Sequence, residues 1–291
     1  MIAVILSGDD FGLAPAINEG IALAHARGCL TSASLSVAGP AAEDAAAKVR
    51  NLPSLGVGLH LTLVGERPVS RPAEVPSLVD PDGRFPPGAC SFARLWLSRR
   101  IRPSEVRREV RAQIERAREL GVSLTHLDSH QHLHVLPGLL ETVLEEMGRA
   151  GLRRLRIPLE TARVPGGDRR RRALRLGLNL LARRAARVAR REGFVFPDRF
   201  VGFLGAGHVD ADGLLARFEG LGDGVTEIAL HPAVGDGLPR VDFASWGYRW
   251  SEELAALLDP RVREALDRRG AFRVHYGGIP SGEDDPRRGA A

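Results

Sequence analysis

The sequence predicts an α/β fold in which a parallel sheet is rolled into a (β/α) barrel. Eight short apolar segments alternate with segments of helical periodicity over about 280 residues. No change in composition divides this alternation into two halves, and polar residues recur where the apolar segments end. We therefore predict one domain over residues 1–280, followed by a disordered tail at residues 281–291.

Strands are predicted where apolar and β-branched residues run together between turn signals. The first strand, residues 2–7, is buried and meets a turn that carries Asp9 and Asp10. Adjacent acids resist joint ionisation unless a cation lies nearby, although aspartates are also common in turns. The other strands are predicted at residues 31–37, 57–63, 122–127, 154–158, 200–204, 224–231 and 271–276.

Helices are predicted between most of these strands. The segment at residues 103–120 is the clearest, because Val106, Val110, Ile114 and Ala117 recur at helical spacing. The other helices are predicted at residues 15–27, 41–50, 137–150, 169–191, 252–258 and 261–268.

Residues 65–93 interrupt the alternation with a long, proline-rich segment of poor periodicity. A loop of this length inside a compact domain is usually functional or disordered. We predict that it is a lid or an insertion that contacts substrate.

Composition excludes several classes of protein. Hydrophobic residues make up 44% of the chain, and no apolar run is long enough to span a bilayer. The N-terminus has no signal-peptide pattern, and Cys29 and Cys90 form neither a metal-ligand spacing nor a disulfide framework, so we expect a cytoplasmic protein. Aromatic residues are only 5% and no recognition motif is present, which argues against nucleic-acid binding despite the +5 net charge.

The helix predicted at Arg169–Arg191 is strongly basic, with leucines at helical spacing. The ordinary interpretation is a solvated helix face. The alternative is a peripheral contact with an anionic membrane, such as the inner membrane surface, or with acidic partners.

The densest polar motif is T-H-L-D-S-H-Q-H-L-H at residues 125–134. If the preceding strand continues through it, His126, Asp128 and His130 share one face, because alternate residues of a strand point the same way. Histidine is the commonest metal ligand and titrates near neutral pH, so the motif predicts a metal site or a proton-transfer site. A surface histidine run at a strand end is the alternative.

In a barrel, the polar residues that end these strands would meet at one mouth. They are Asp9 and Asp10, His60, the 126–130 segment, Arg156 and His231. One aspartate and two histidines can hold a divalent cation and leave positions open for water and substrate. With a second carboxylate as base and a histidine as acid, this constellation predicts metal-assisted hydrolysis of an amide or ester.

Several motifs resemble the YdjC family of carbohydrate deacetylases. They are D-D-F-G at 9–12, Asn18, G-L-H-L at 58–61, the 125–134 motif and L-H-P at 230–232. The phrases A-H-A-R-G-C-L-T-S-A-S-L-S-V-A-G-P-A and W-G-Y-R-W-S-E-E-L resemble the hopanoid-biosynthesis branch of that family. The resemblance implies a distorted, TIM-like barrel and hydrolysis of an N-acetyl group from an amino sugar. The N-acetylglucosaminyl group of a hopanoid lipid is the expected substrate.

The resemblance also implies roles for individual residues. Asp10, His60 and His130 hold one divalent metal, Asp9 is the base that activates water, and His231 is the general acid. We further expect Asp128 to orient a neighbouring histidine. The expected substrate contacts are His132, Arg156, Trp246, Tyr248 and Arg249, whereas His126 and His134 are assigned structural roles.

Alternatives stay open at this stage. The metal is expected to be magnesium or zinc, but manganese, cobalt or iron would also suit these ligands. The substrate could instead be a soluble N-acetylated oligosaccharide. Two histidines and a carboxylate also describe non-haem iron oxygenases, and a non-catalytic, metal-stabilised protein that binds lipid or sugar is another alternative. The oligomeric state is open, with a homo-oligomer among the alternatives.

Overall fold

The computed structural model of the chain describes residues 1–161, 168–235 and 246–279. Its centre is a curled parallel sheet with the strand order β4-β3-β2-β1-β6-β5. The strands are β1 (Ile2–Phe11), β2 (Ser32–Leu35), β3 (Gly56–Leu61), β4 (Leu127–Ser129), β5 (Arg199–Val201), β6 (Gly224–Leu230) and β7 (Phe272–Arg273). The short β7 pairs with the beginning of β1, at Ala3 and Val4. This is an α/β fold with a half-barrel sheet, as the alternation predicts at the coarse level.

The fifth predicted strand, at residues 154–158, is not a strand in the structure. Its backbone makes two isolated parallel bridges, from Leu155 to Leu127 and from Arg154 to Val195. These bridges continue the curled sheet beyond β4 through single residue pairs, so the barrel is distorted.

Nine helices of the described chain surround the sheet, and most begin where the sequence supplies a start signal. Pro15, Pro103 and Pro260 occupy first helical turns, where the missing N–H costs nothing. Asp168 and Asp210 accept hydrogen bonds from the backbone as N-caps. The helices are α1 (Pro15–Arg27), α2 (Ala42–Val49), α3 (Ala89–Leu97), α4 (Pro103–Glu119), α5 (Leu139–Arg149), α6 (Arg169–Arg191), α7 (Ala211–Glu219), α8 (Trp250–Leu258) and α9 (Pro260–Arg268).

The segment at residues 65–93 is packed against α4. Its apolar residues Val75, Leu78 and Phe85 are buried. The backbone N–H groups of residues 69 and 70 donate to the buried carboxylate of Glu109, and Ser77 donates to Glu105. The predicted lid is therefore an insertion fixed by α4, and α3 already begins within it at Ala89.

Three further expectations require correction. The predicted turn at Asp9 and Asp10 is strand, because β1 continues to Phe11. The strand expected at residues 122–127 lies at Leu127–Ser129, so His126 and His130 flank it rather than share its face. The predicted tail at residues 281–291 lies outside the described residues. None of the described helices combines the length and hydropathy needed to cross a bilayer.

Candidate metal centre and active site

The two acids of β1 lie at the C-terminal end of the central strand. Asp10 has a φ of 65°, a conformation that aspartate tolerates better than most residues, and the pairing of β1 with β2 is irregular there. The turn that follows is held by Asn18, whose Oδ1 accepts a hydrogen bond from the Gly12 N–H at 2.7 Å. The strand end therefore presents both carboxylates to the interior of the sheet, where Asp9 is 4% and Asp10 1% exposed.

Asp10 meets two histidines from neighbouring elements. His60 ends β3, and His130 follows β4 at the start of a short 3₁₀ segment, His130–Val135. Asp10 Oδ1 lies 3.4 Å from His60 Nε2 and 3.1 Å from His130 Nδ1, and the two nitrogens are 3.4 Å apart. Three ligand atoms from three strand ends thus converge, as the sequence predicts for Asp10, His60 and His130.

These atoms fit a divalent cation. Metal–ligand bonds of about 2.1 Å place neighbouring ligand atoms about 3.0–3.4 Å apart, which is the spacing observed. Asp10 Oδ1 is buried and has no hydrogen-bond partner among the described residues. Burial alone would raise the pKa of Asp10, but His130 and His60 hold it well below its usual range, so an anionic ligand is available.

Asp128 lies behind His60 and accepts a hydrogen bond from its Nδ1 at 2.8 Å, which leaves Nε2 facing the ligand cluster. Burial lowers the pKa of His60, but Asp128 and Asp10 outweigh it and raise the pKa to about 10. The pKa of Asp128 itself is lowered, against the effect of burial, by Arg156 and His60. Asp9, His60 and Asp128 form a second group whose ligand atoms lie within 4.8 Å of one another.

Arg156 is completely buried beneath this cluster, so the structure does not place it where it could contact substrate. Its guanidinium binds Asp9 bidentately, at 2.6 and 2.8 Å, and also pairs with Asp128 and Glu227. Tyr276 closes the group by donating to Glu227 Oε2 at 2.6 Å. The guanidinium cation pairs with three carboxylates, whose negative charges would otherwise cost free energy to bury.

His231 follows β6 and faces the site from the opposite side of β1. Its Nδ1 lies 3.6 Å from Oε2 of Glu253, a completely buried residue of α8. Burial lowers the pKa of His231, but Glu253 and the two β1 acids raise it above the ordinary value. Nδ1 of His231 therefore faces the Glu253 carboxylate, and Nε2 makes no hydrogen bond that the described residues record.

Aromatic residues line the side of the site between His130 and His231. Trp246 lies 5.3 Å from His130, and Tyr248 lies 4.8 Å from His231, measured between ring centroids. Trp250 contacts both aromatic rings and His231. This wall of Trp246, Tyr248 and Trp250 brings two predicted substrate contacts to the site.

The other two predicted contacts differ in placement. Arg249 is exposed and pairs with Glu252. His132 has a φ of 56° and lies against Phe200 and Phe203. Burial, followed by Arg156, holds the pKa of His132 well below its usual range, so the ring is neutral.

His126 and His134 lie away from the ligand cluster. His126 stacks on Tyr276 with 3.7 Å between ring centroids, and burial lowers its pKa to about 3. Its ring occupies the space above Gly58, where a Cβ would lie 2.3 Å from an imidazole carbon. His134 bonds to Ser129 and to the Arg156 carbonyl oxygen. Gly58, two residues before His60, therefore leaves room for the ring of His126.

Sequence reasoning missed two charged residues of this site, Glu227 and Glu253. Glu227 interrupts the apolar run of β6, and an acid in a buried strand is a signal that could have identified it. Glu253 lies beside one other acidic residue in W-S-E-E-L, and that sequence alone does not distinguish it from the exposed Glu252.

Comparisons with known proteins identify relatives of this chain. Residues 3–268 match the profile of a family described as YdjC-like protein. A carbohydrate deacetylase of Geobacillus stearothermophilus is 33% identical over 273 residues, covering 94% of this chain and 96% of its own. The human carbohydrate deacetylase is 36% identical, covering 92% and 88%. A crystal structure from Enterococcus faecalis V583, named "putative cellobiose-phosphate cleavage protein", superposes with a TM-score of 0.75 at 25% identity, covering 94% and 97%.

Proposed function

The chain belongs to the YdjC-like protein family, and from this premise we propose that it is a metal-dependent carbohydrate deacetylase that removes the acetyl group of an N-acetylated amino sugar. The observation that carries the proposal is the convergence of Asp10, His60 and His130, with the buried Oδ1 of Asp10 unpartnered among the described residues. A carboxylate and an imidazole flank this cluster. The names of the relatives support the activity.

Asp10, His60 and His130 would hold the cation, and Asp128 fixes the ring of His60. When bound, the cation supplies a Lewis acid for the acetamide carbonyl and acidifies water. Two imidazoles and one carboxylate suit zinc, and magnesium, manganese, cobalt and iron are the alternatives.

Asp9 acts as general base in this proposal. It accepts a proton from water while the water oxygen forms a bond to the acetamide carbonyl carbon. The bidentate pair with Arg156 holds the carboxylate in one orientation. We therefore assign to Arg156 the positioning of the base, in place of the substrate contact expected from the sequence.

His231 acts as general acid. It donates a proton to the sugar nitrogen as the carbon–nitrogen bond breaks, so the products are acetate and a free amine. Glu253 keeps the imidazole protonated before this step. The wall of Trp246, Tyr248 and Trp250 offers apolar faces against which a sugar ring can pack.

For the substrate, we propose the N-acetylglucosaminyl group of a hopanoid lipid. The two phrases that resemble the hopanoid-biosynthesis branch support this choice. The second of them contributes the aromatic wall. The alternative is a soluble N-acetylated oligosaccharide, which the names of the relatives also allow.

The test is acetate release from simple N-acetylglucosamine oligosaccharides and from a glucosaminyl hopanoid, using chelated protein with single metals added back. We expect release that depends on the metal. Asp9→Asn should retain metal, measured by elemental analysis, and lose turnover by about 10²–10⁴-fold. The exposed Asp80→Asn is the matched control.

Wild-type turnover in Asp9→Asn would refute the base assignment. Absence of release with every metal, from folded protein that binds metal, would favour the non-catalytic alternative. Activity that requires oxygen and a 2-oxo acid would favour the oxygenase.

A further inference from the structure

The N-terminal half of α6, residues 169–180, lies at the surface of the fold. None of its residues is buried, whereas Ala182, Ala185 and Ala189 in the C-terminal half are packed at 0% exposure. Twelve helical residues extend about 18 Å. The first half of α6 is therefore a helical surface that the described protein leaves open to its surroundings.

Leucines lie on the outward face of this helix. Leu176 and Leu180 are 63% and 67% exposed, and Leu174 is 48% exposed. At 100° per residue, Leu176 and Leu180 point about 165° away from the packed alanines. Large apolar side chains one turn apart on the outermost face of a helix indicate a contact surface.

The same half-helix is cationic. The sequence R-R-R-R-A-L-R-L at residues 169–176 contains five arginines, and α6 contains no acidic residue. Arg169, Arg170 and Arg172 are exposed and make no ion pair with any described residue. Exposed leucines that follow exposed arginines along one helix fit a partner that is both apolar and anionic.

This surface adjoins the candidate active site. Arg171 reaches the carbonyl oxygen of Ala206 at 3.5 Å and contributes to the electrostatic environment of Tyr248 in the aromatic wall. Asn179 bonds to Glu160, which fixes the loop after β5 through the backbone N–H groups of residues 202–204. These contacts hold residues 169–180 beside the loops that border the aromatic wall, while the leucines face away from the fold.

We propose that residues 169–180 dock the protein on an anionic lipid bilayer, with Leu176 and Leu180 in the interfacial region and the arginines on lipid headgroups. The proposal rests on the exposure, charge and position of α6. It is independent of the deacetylase assignment.

The test is co-sedimentation of the whole protein with phosphatidylglycerol/phosphatidylcholine vesicles and with phosphatidylcholine vesicles. We expect binding to the anionic vesicles that weakens as salt increases. Arg169→Gln/Arg172→Gln should reduce the partition coefficient about 25-fold, at about fivefold for each arginine. Leu176→Gln/Leu180→Gln should reduce it at least about tenfold.

The matched control is Phe272→Ser/Arg269→Gln, which removes the exposed aromatic side chain of β7 and the exposed arginine that follows α9. It should bind anionic vesicles like the wild type. Wild-type binding by Leu176→Gln/Leu180→Gln, or no binding to anionic vesicles at low salt, would overturn the proposal. A dimer in sedimentation velocity that this double variant converts to monomer would assign the surface to a second copy of the chain.

Discussion

Replacing Glu253 by glutamine should move the basic limb of the pH–rate profile to lower pH. An acid catalyst must be protonated, so the rate falls as the pH rises through the pKa of His231. Glu253 is the largest factor that raises this pKa against burial. Without its charge, His231 should lose its proton at a lower pH.

The size of the shift follows from the 3.6 Å between His231 Nδ1 and Glu253 Oε2. Coulomb's law gives about 1.2 kcal/mol at the dielectric constant of water and about 4.6 kcal/mol at an effective value of about 20. At 1.36 kcal/mol per unit, these limits correspond to about 1 to 3 pKa units.

The assay is the pH dependence of kcat/KM for acetate release, which reports groups of the free enzyme. The control is Glu252→Gln, because Glu252 is the adjacent residue of α8 but is exposed and pairs with Arg249. In the wild type, the Val209 and His231 N–H groups donate to different oxygens of Glu253. Glutamine keeps an acceptor for one of the two, so a thermal melt checks that the variant is folded. If Glu253→Gln and the wild type share the same basic limb, either Glu253 does not set the pKa of His231 or His231 is not the acid.

Three further predictions concern stability and metal binding. Gly58→Ala should lower the free energy of unfolding in urea by about 2 kcal/mol or more, because the added Cβ would meet the His126 ring. Gly177→Ala, in open space on α6, should raise that free energy by about 0.5–1 kcal/mol. Equal effects of the two substitutions would contradict the packing around Gly58. Arg156→Met should cost about 3–5 kcal/mol at pH 7, because three buried carboxylates lose their cation. Their pKa values in the folded variant would then be raised, so the loss should shrink as the pH falls through those values, and a loss that grows would refute the pairing. A divalent metal at about 100 times its Kd should stabilise the wild type by about 2.7 kcal/mol in a thermal shift assay. The same metal should stabilise Asp10→Asn by much less. Equal shifts in the two proteins would remove Asp10 from the ligand set.

Local sequence signals predicted much of the fold. The bounds of α1 and α6 agree with the prediction, because proline and a capping aspartate mark their starts. The helix α7 was missed, since Gly213 and a short length leave little periodicity in A-D-G-L-L-A-R-F-E. The end of β1 was read as a turn because adjacent acids favour turns, and the groups that neutralise them are far away in sequence.

The same distinction applies to the candidate site. Asp10, His60 and His130 could be placed near one another because each lies near a strand end, a position that sequence patterns reveal. Their selection as the ligand set came from the resemblance to the YdjC family. The ion-pair partners of a buried residue are harder to predict. Asp9 lies 147 residues before Arg156 in the chain, and Glu227 lies 71 residues after it. The sequence R-L-R-I-P predicts an arginine near a strand end, and its three carboxylate partners are not visible in that pattern.

Tyr276 connects the buried charges to the last described part of the chain. It stacks on His126 and donates to Glu227, so it covers the interior group formed by Arg156 and its carboxylates. On the ribosome, the ligands of the metal centre are synthesised long before this residue. Until about residue 276 emerges, the nascent sheet lacks the ring that separates its internal ion pairs from water, and its last step of assembly must wait for that ring.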